Sequence, residues 1–348
     1  MKLSALPTIL KQRLLFLSKQ TRHTEHFQGV LGTSLEVQVL ACSRADGHRA
    51  VQAALDEIDR LERVFSRFDP ESELNRWLAD ASLSASPELV ALLRRAEGWR
   101  ALTGGAFHPG SEALTQLWRA AERSGRPPLV DDLLGVAERL QLPVWSEEQG
   151  WRPATPLNLN AFAKGFIVDS AAQAAQAVAQ QGGPAKVLVN IGGDLRHLSM
   201  SGQRGIAVDV MDPHAPFANA APLTRLMLNQ GLATSGGAFR GFVVAGQRFT
   251  HLLDPCSGQP VRQVVGATVL APKCADADAL ATAFSVLDPA HSLALADRLP
   301  GVACLLVLED GQQRRSSRFA ALEVPRRQPR SKGGISLRAA SVQATRPC

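Results

Sequence analysis

The sequence predicts an α+β fold, with helices packed on an antiparallel or mixed sheet. Three observations carry that prediction. Helical and strand-like patterns are interspersed without the strict rhythm of a doubly wound sheet. Short strand patterns crowd the second half of the chain, bounded by turn residues. At 348 residues the chain can bury a full core, as one large domain or two smaller ones. No internal repeat is evident.

In order, residues 1–25 read as a poorly ordered or loosely helical lead, and 26–324 as the folded domain. Leu35, Val37 and Val39 alternate after a Leu31-Gly32-Thr33 turn, which predicts a strand ending at Leu40. Val51, Ala54, Leu55, Ile58, Leu61 and Val64 keep helical spacing, so 48–64 is an amphipathic helix. A polar turn over 65–76 opens a short helix. Ser86-Pro87-Glu88 supplies the cap, the first-turn proline and the acidic residue of a helix start, and that helix runs to Leu102 before Gly104-Gly105. Residues 109–114 and 125–128 read as loops and 131–140 as a helix. Leu157 and Leu159 read as a strand end. A helix follows to Gln181, stopped by Gly182-Gly183. Strands are expected over 186–191, 206–210, 223–228, 240–244, 248–253, 264–270 and 302–308, with helices over 276–287 and 289–299. From 325 to 348, Arg, Pro, Ser and Gly dominate, which predicts a disordered tail.

Composition narrows the function. The net charge is +6, yet residues 314–348 hold nine of the 38 basic residues and one of the 32 acidic ones. The basicity therefore belongs to the tail, not to the folded domain. Tyrosine is absent and aromatics are 5%, which argues against nucleic-acid binding through stacked bases. The five scattered cysteines contain no CxxC pair, so neither a disulfide framework nor a zinc site is read from them. No stretch approaches eighteen apolar residues, so no membrane span is expected. The apolar run at 14–17 is short and late for a secretory signal. Val39-Leu40-Ala41-Cys42 superficially matches a lipoprotein cleavage box, but Glu36 and Gln38 interrupt its apolar region. A cytoplasmic protein, monomer or homodimer, is the expectation.

Several segments can bear chemistry. The junction at 157–169 leads into a long helix and carries Lys164 beside backbone N–H groups at its positive end. It can hold phosphate, or it can be an ordinary connection with a surface lysine. Gly104-Gly105-Ala106-Phe107-His108-Pro109 is a turn that lets backbone approach a ligand, with Phe107 placed to lie against a flat ring. It can equally be a plain helix-ending turn. Gly192-Gly193-Asp194 after a strand is similar. Asp278 and Thr282, four apart, share one helix face and offer two hard oxygen ligands suited to Mg²⁺. Alternatively, Asp276 caps that helix and Asp278 complements its dipole. His251, placed on a strand just before a turn, has the chemistry of a proton acceptor, though a lone histidine also serves structure.

Taken together and in order, these segments resemble the ApbE family, the FAD:protein FMN transferases. The similarity runs from about Leu31 to Leu287. It rests on 31–33, 65–75, 103–109, 157–169, 189–194, Ala233-Thr234-Ser235-Gly236, 251–260 and 275–287. The resemblance implies FAD as substrate and a catalytic Mg²⁺, with Mn²⁺ as an alternative. It also implies transfer of FMN to a Thr or Ser hydroxyl of an acceptor protein, with release of AMP. By position it implies a metal held by the Ala161 carbonyl, Asp278 and Thr282. Nucleotide contacts would come from Leu31, Phe68, Ala106, Phe107, His108, Asn158, Lys164 and the Leu252-Leu253 region. His251 would be the base, with Lys164 and Asp278 as the other catalytic groups. The chain departs from the family where His108 and Asn158 replace the usual Asp, Asn160 a common Gly, and Cys256 a frequent Arg. Two alternatives follow: an FAD-holding protein without turnover, or an FAD pyrophosphatase yielding FMN and AMP.

Overall fold

The computed structural model describes residues 20–325, apart from 81, 144, 146–152, 154, 201–204, 216–219, 237–240 and the side chains of 160 and 161. The predicted tail from 326 onward and most of the predicted lead lie outside the described residues. The lead's last residues are a correction. Thr21–Val30 forms β1, because every one of these residues finds a ladder partner, or stands beside one, on β2, Thr33–Ala41. β2 also absorbs the Val39-Leu40-Ala41 box as buried sheet.

Three further strands run in succession: β3, Lys186–Ile191, β4, Asp194–Leu198, and the hairpin strand β5, Ile206–Val210, which pairs with β6, Thr224–Leu228. β7 spans Gly231–Gly236; β8, Gly241–Val244, and β9, Gln247–Thr250, form another hairpin. β10, Val264–Ala271, β11, Ala303–Leu308, and β12, Gln313–Arg315, complete the set. The main sheet has the order β1-β2-β3-β4-β7-β10-β11-β12, antiparallel throughout. β4, β7 and β12 lack a sequence signal of their own: they are short, or rich in glycine and charge, and tertiary pairing makes them strands.

The helices are α1, Arg44–Phe65, α2, Glu73–Ala79, α3, Pro87–Leu102, α4, Glu112–Ser124, α5, Val130–Arg139, α6, Asn160–Ala179, α7, Cys274–Val286, and α8, Pro289–Arg298. Ser43, Ser72 and Ser86 cap α1, α2 and α3 by accepting from Asp46, Asn75 and Leu89 N–H. Two expectations are corrected. The 109–114 segment is not a loop throughout, since α4 begins at Glu112 and buries Leu114, Trp118 and Ala121 along one face. Leu157 to Leu159 is irregular, not strand. Its alternation reflects two buried leucines on a segment tied down by Asn158 N–H to Pro109 O at 2.5 Å.

One core face of the sheet is covered by α1, α6 and α7. The other carries Leu195, Leu232 and Leu305 against the β5–β6 hairpin and Phe319. A satellite core joins α4, α5, the β8–β9 hairpin and Leu253 around Trp118.

Candidate active site

A cleft of about 430 Å³ opens between the main core and the satellite core. Its inner wall is built by α6 and α7, which cross with almost no space between them. A Cβ on Gly165 would stand 2.8 Å from the Cα of Ala275 and from the carbonyl oxygen of Cys274, so only glycine permits this approach. Asp169, one turn further along α6, accepts from Cys274 N–H at 2.9 Å and Ala275 N–H at 3.0 Å. It thus caps α7 from another helix, where Lys273 at the N-cap position offers no side-chain bond.

This crossing sets the charges. Lys164 Nζ lies 2.7 Å from Asp194 Oδ2, and Asp194 follows directly on the Gly192-Gly193 turn, whose φ values of 59 and 97° need glycine. Gly165 N–H, the i+4 partner that helix geometry assigns to the Ala161 carbonyl, reaches Asp278 Oδ2 at 3.3 Å. Burial, then repulsion from Asp194, pushes the Asp278 carboxyl well above the usual carboxylate range, although Lys164 and Gly165 pull the other way. Burial also works against the Lys164 charge, but Asp194 and Asp278 outweigh it and raise its pKa. Two buried carboxylates thus share one lysine.

The structure brings together Ala106, Phe107, His108, Asn158, Lys164, His251, Leu252, Leu253, Asp278 and Thr282 on this cleft. Leu31 and Phe68 are not among its lining residues. Leu31 sits in the β1–β2 turn at φ 48° and packs on the main core. Phe68 is 79% exposed under the Arg67 guanidinium. Arg67 in turn pairs at 2.6 Å with Glu112, a cleft-lining carboxylate, which sets Phe68 beside the lip. Ala161 lies in the first turn of α6.

Phe107 lines the cleft but is 2% exposed, with its ring 5.9 Å from that of Phe162. Two expectations change. His251 falls one residue past β9, in a bend. Asp276 is no cap: Arg95 and Trp99 Nε1, both on α3, donate to its Oδ1, and this ties α7 to α3. His108 accepts from Gly110 N–H on Nδ1 at 3.0 Å. Burial, then the Arg100 charge, lowers its pKa to about 4 against the pull of the Leu140 backbone. It is therefore a neutral imidazole at physiological pH.

Sequence reasoning missed Asp169, Gly165 and the brace below His251. In that brace Asp254 accepts from Cys256 N–H and Ser257 Oγ, while Trp118 Nε1 donates to Gly258 O at 2.9 Å. The Asx-turn residues of Asp254-Pro255-Cys256-Ser257-Gly258 were a usable signal for the turn; nothing local pointed to Trp118.

The ApbE family model matches residues 31–306. The chain belongs to the ApbE family. A relative in Treponema pallidum named FAD:protein FMN transferase is 30% identical, the alignment covering 83% of this chain and 85% of that one. One of the same name in Klebsiella pneumoniae is 27% identical, over 81% and 83%. Among solved structures, the ApbE protein of Thermotoga maritima superposes with a TM-score of 0.72 at 26% identity, covering 88% of this chain and all of that one. The apo ApbE flavinyl transferase of Pseudomonas stutzeri shares the fold, with a TM-score of 0.65 at 24% identity over 87% and 96%. Among the described residues of this ApbE member, no helix is long and apolar enough to cross a membrane.

Proposed function

We propose that this chain moves FMN from FAD onto a Thr or Ser hydroxyl of an acceptor protein, releasing AMP. The observation that carries the reading is the convergence of Asp278, Thr282, Lys164 and His251 on one cleft. The residues fit a hard divalent cation. Asp278 and Asp194 repel each other across a single lysine, and added positive charge relieves that repulsion. The donors are oxygens alone, which suits Mg²⁺ or Mn²⁺. Asp278 and Thr282 would hold the ion with the Ala161 carbonyl, whose i+4 N–H is shared with Asp278. When bound, it would neutralise charge on the diphosphate oxygens.

Lys164 adds a second positive group on the same wall, held in place by Asp194. The first turn of α6 carries no acidic residue, so the positive end of its dipole is left to favour a phosphate. The acceptor hydroxyl oxygen forms a bond to the FMN phosphorus as the bond to the AMP oxygen breaks. His251, at the cleft surface, takes the hydroxyl proton. Asp276 cannot compete for that proton, being held by Arg95 and Trp99.

The test is incubation with FAD, Mg²⁺ and a Thr-bearing acceptor, scoring fluorescent acceptor and AMP together. Asp278→Ala is expected to lower labelling by about 10³-fold or more. Undiminished labelling would overturn the assignment. The neutral, buried His108 favours a second reading, an FAD-holding protein without turnover. Co-purified FAD that releases no AMP on prolonged incubation with metal and acceptor would select it. AMP with free FMN and no acceptor would instead identify a pyrophosphatase.

A further inference from the structure

Outside the cleft, one cluster of metal-ligating side chains has no part in the proposed reaction. His23 and Glu25 are two apart on β1 and so share a face. They pair with Val39 and Val37, which are fully buried, so the shared face is the one α1 covers. His48 comes from the first turns of α1. Gly47 makes the approach possible, since a Cβ there would stand 2.8 Å from His23 Cβ. The three side chains converge on Glu25 Oε1, which is 2.5 Å from His23 Nε2 and 3.2 Å from His48 Nδ1. All three ligand atoms lie within 4.8 Å of one another.

We infer that His23 Nε2, His48 Nδ1 and Glu25 Oε1 form a site for one Zn²⁺ ion that fastens the edge strand β1 to α1. Two imidazoles and a carboxylate are a donor set that suits zinc, whereas Mg²⁺ prefers oxygen alone. With bonds of about 2.0–2.1 Å, tetrahedral ligand atoms stand about 3.3 Å apart. Glu25 and His48 already meet that spacing, and His23 has to move from Glu25 by less than about 1 Å. The side chains of His48 and Glu25 are 52% and 32% exposed, which gives the ion an entry path and leaves a fourth position to water. None of His23, Glu25 and His48 lines the cleft, so this site is separate from it.

The full chain, freed of any affinity tag, is titrated with Zn²⁺ by calorimetry and with Co²⁺ by visible absorption. The expected result is one Zn²⁺ per chain that excess Mg²⁺ does not displace, with the intense visible bands of low-coordinate Co²⁺. Affinity should fall at least tenfold in His23→Ala and His48→Ala. It should be unchanged in His26→Ala, on the opposite face of β1, and in Asp278→Ala. Zinc at a hundredfold excess over Kd should raise the melting temperature by about 5 °C in the parent but not in His48→Ala. His48 is exposed, so its variant should melt like the metal-free parent. Absence of zinc binding, or equal binding by His48→Ala, overturns the site and leaves a metal-free ion pair.

Discussion

The two walls of the cleft are built on different principles. The inner wall, α6, α7 and the β3–β4 turn, is continuous with the main core, and its charged groups are fixed by backbone N–H groups and by buried charge pairs. Gly165 meets the backbone of α7 directly, Asp169 binds two of its N–H groups, and Asp276 ties it to α3. The outer wall, α4, α5 and the β8–β9 hairpin, rests on a small core of its own around Trp118. It is joined by side-chain bonds such as Glu122 accepting from Val243 N–H at 2.8 Å. The groups proposed for metal and phosphate thus stand on the side that cannot shift without disturbing the whole fold. The outer wall shapes the cleft from a smaller core of its own.

The sharpest way to break this contrast is Gly165→Ala. The added Cβ meets backbone, not a movable side chain, so about 3 kcal/mol of stability should be lost, with flavin transfer falling in parallel. A thermal melt within a degree of the parent would show that the inner wall has slack after all.

A second comparison sets His197 on β4, in the inner sheet, against His108 at the cleft. His197 is buried with neither ring nitrogen hydrogen-bonded among the described residues. Burial, then the Lys186 and Arg196 charges, lowers its pKa to about 4. The unfolded imidazole titrates near 6.5, so the unfolded chain binds the extra proton between those values. Stability should therefore fall as pH drops through that window, by up to about 3 kcal/mol, and this residue adds no further loss below pH 4. His108, lowered to about 4 as well, contributes a like amount, so His197→Leu should remove roughly half of the fall in urea midpoint between pH 7 and 4.5. An unchanged slope would rule His197 out as one of its sources.

Asp169→Ala should cost about 2 kcal/mol by leaving two α7 N–H groups uncapped. Its activity should fall further than its stability, because Asp278 and Thr282 ride on α7. Equal effects would reduce Asp169 to an ordinary cap. The smallest effect is expected in the outer wall. Trp118→Phe removes the bond to Gly258 O and should cost about 1 kcal/mol, raising KM for FAD while kcat holds. A large fall in kcat with KM unchanged would place the outer wall in the chemistry itself.

Much of this was readable from residue order. The amphipathic helices, the serine caps, most strands and the pairing of Asp278 with Thr282 on one face depend on periods of two and 3.6, which are local properties of the chain. The glycine turns and the Lys164 junction were visible for the same reason. What periodicity cannot say is which surface a face will meet. Asp276 and Asp278 are two residues apart on one helix, yet contact with α3 pairs the first with Arg95 while the second is buried beside Asp194. The contact of Phe107 with Phe162, at the edge of the cleft, likewise had no local signal. Gly165 and Asp169 gained their importance only from the approach of α7, more than a hundred residues away. Local spacing, then, determined the elements and the chemical groups they carry; long-range packing, through burial and the pairing of charge, decided which of those groups remain at the cleft.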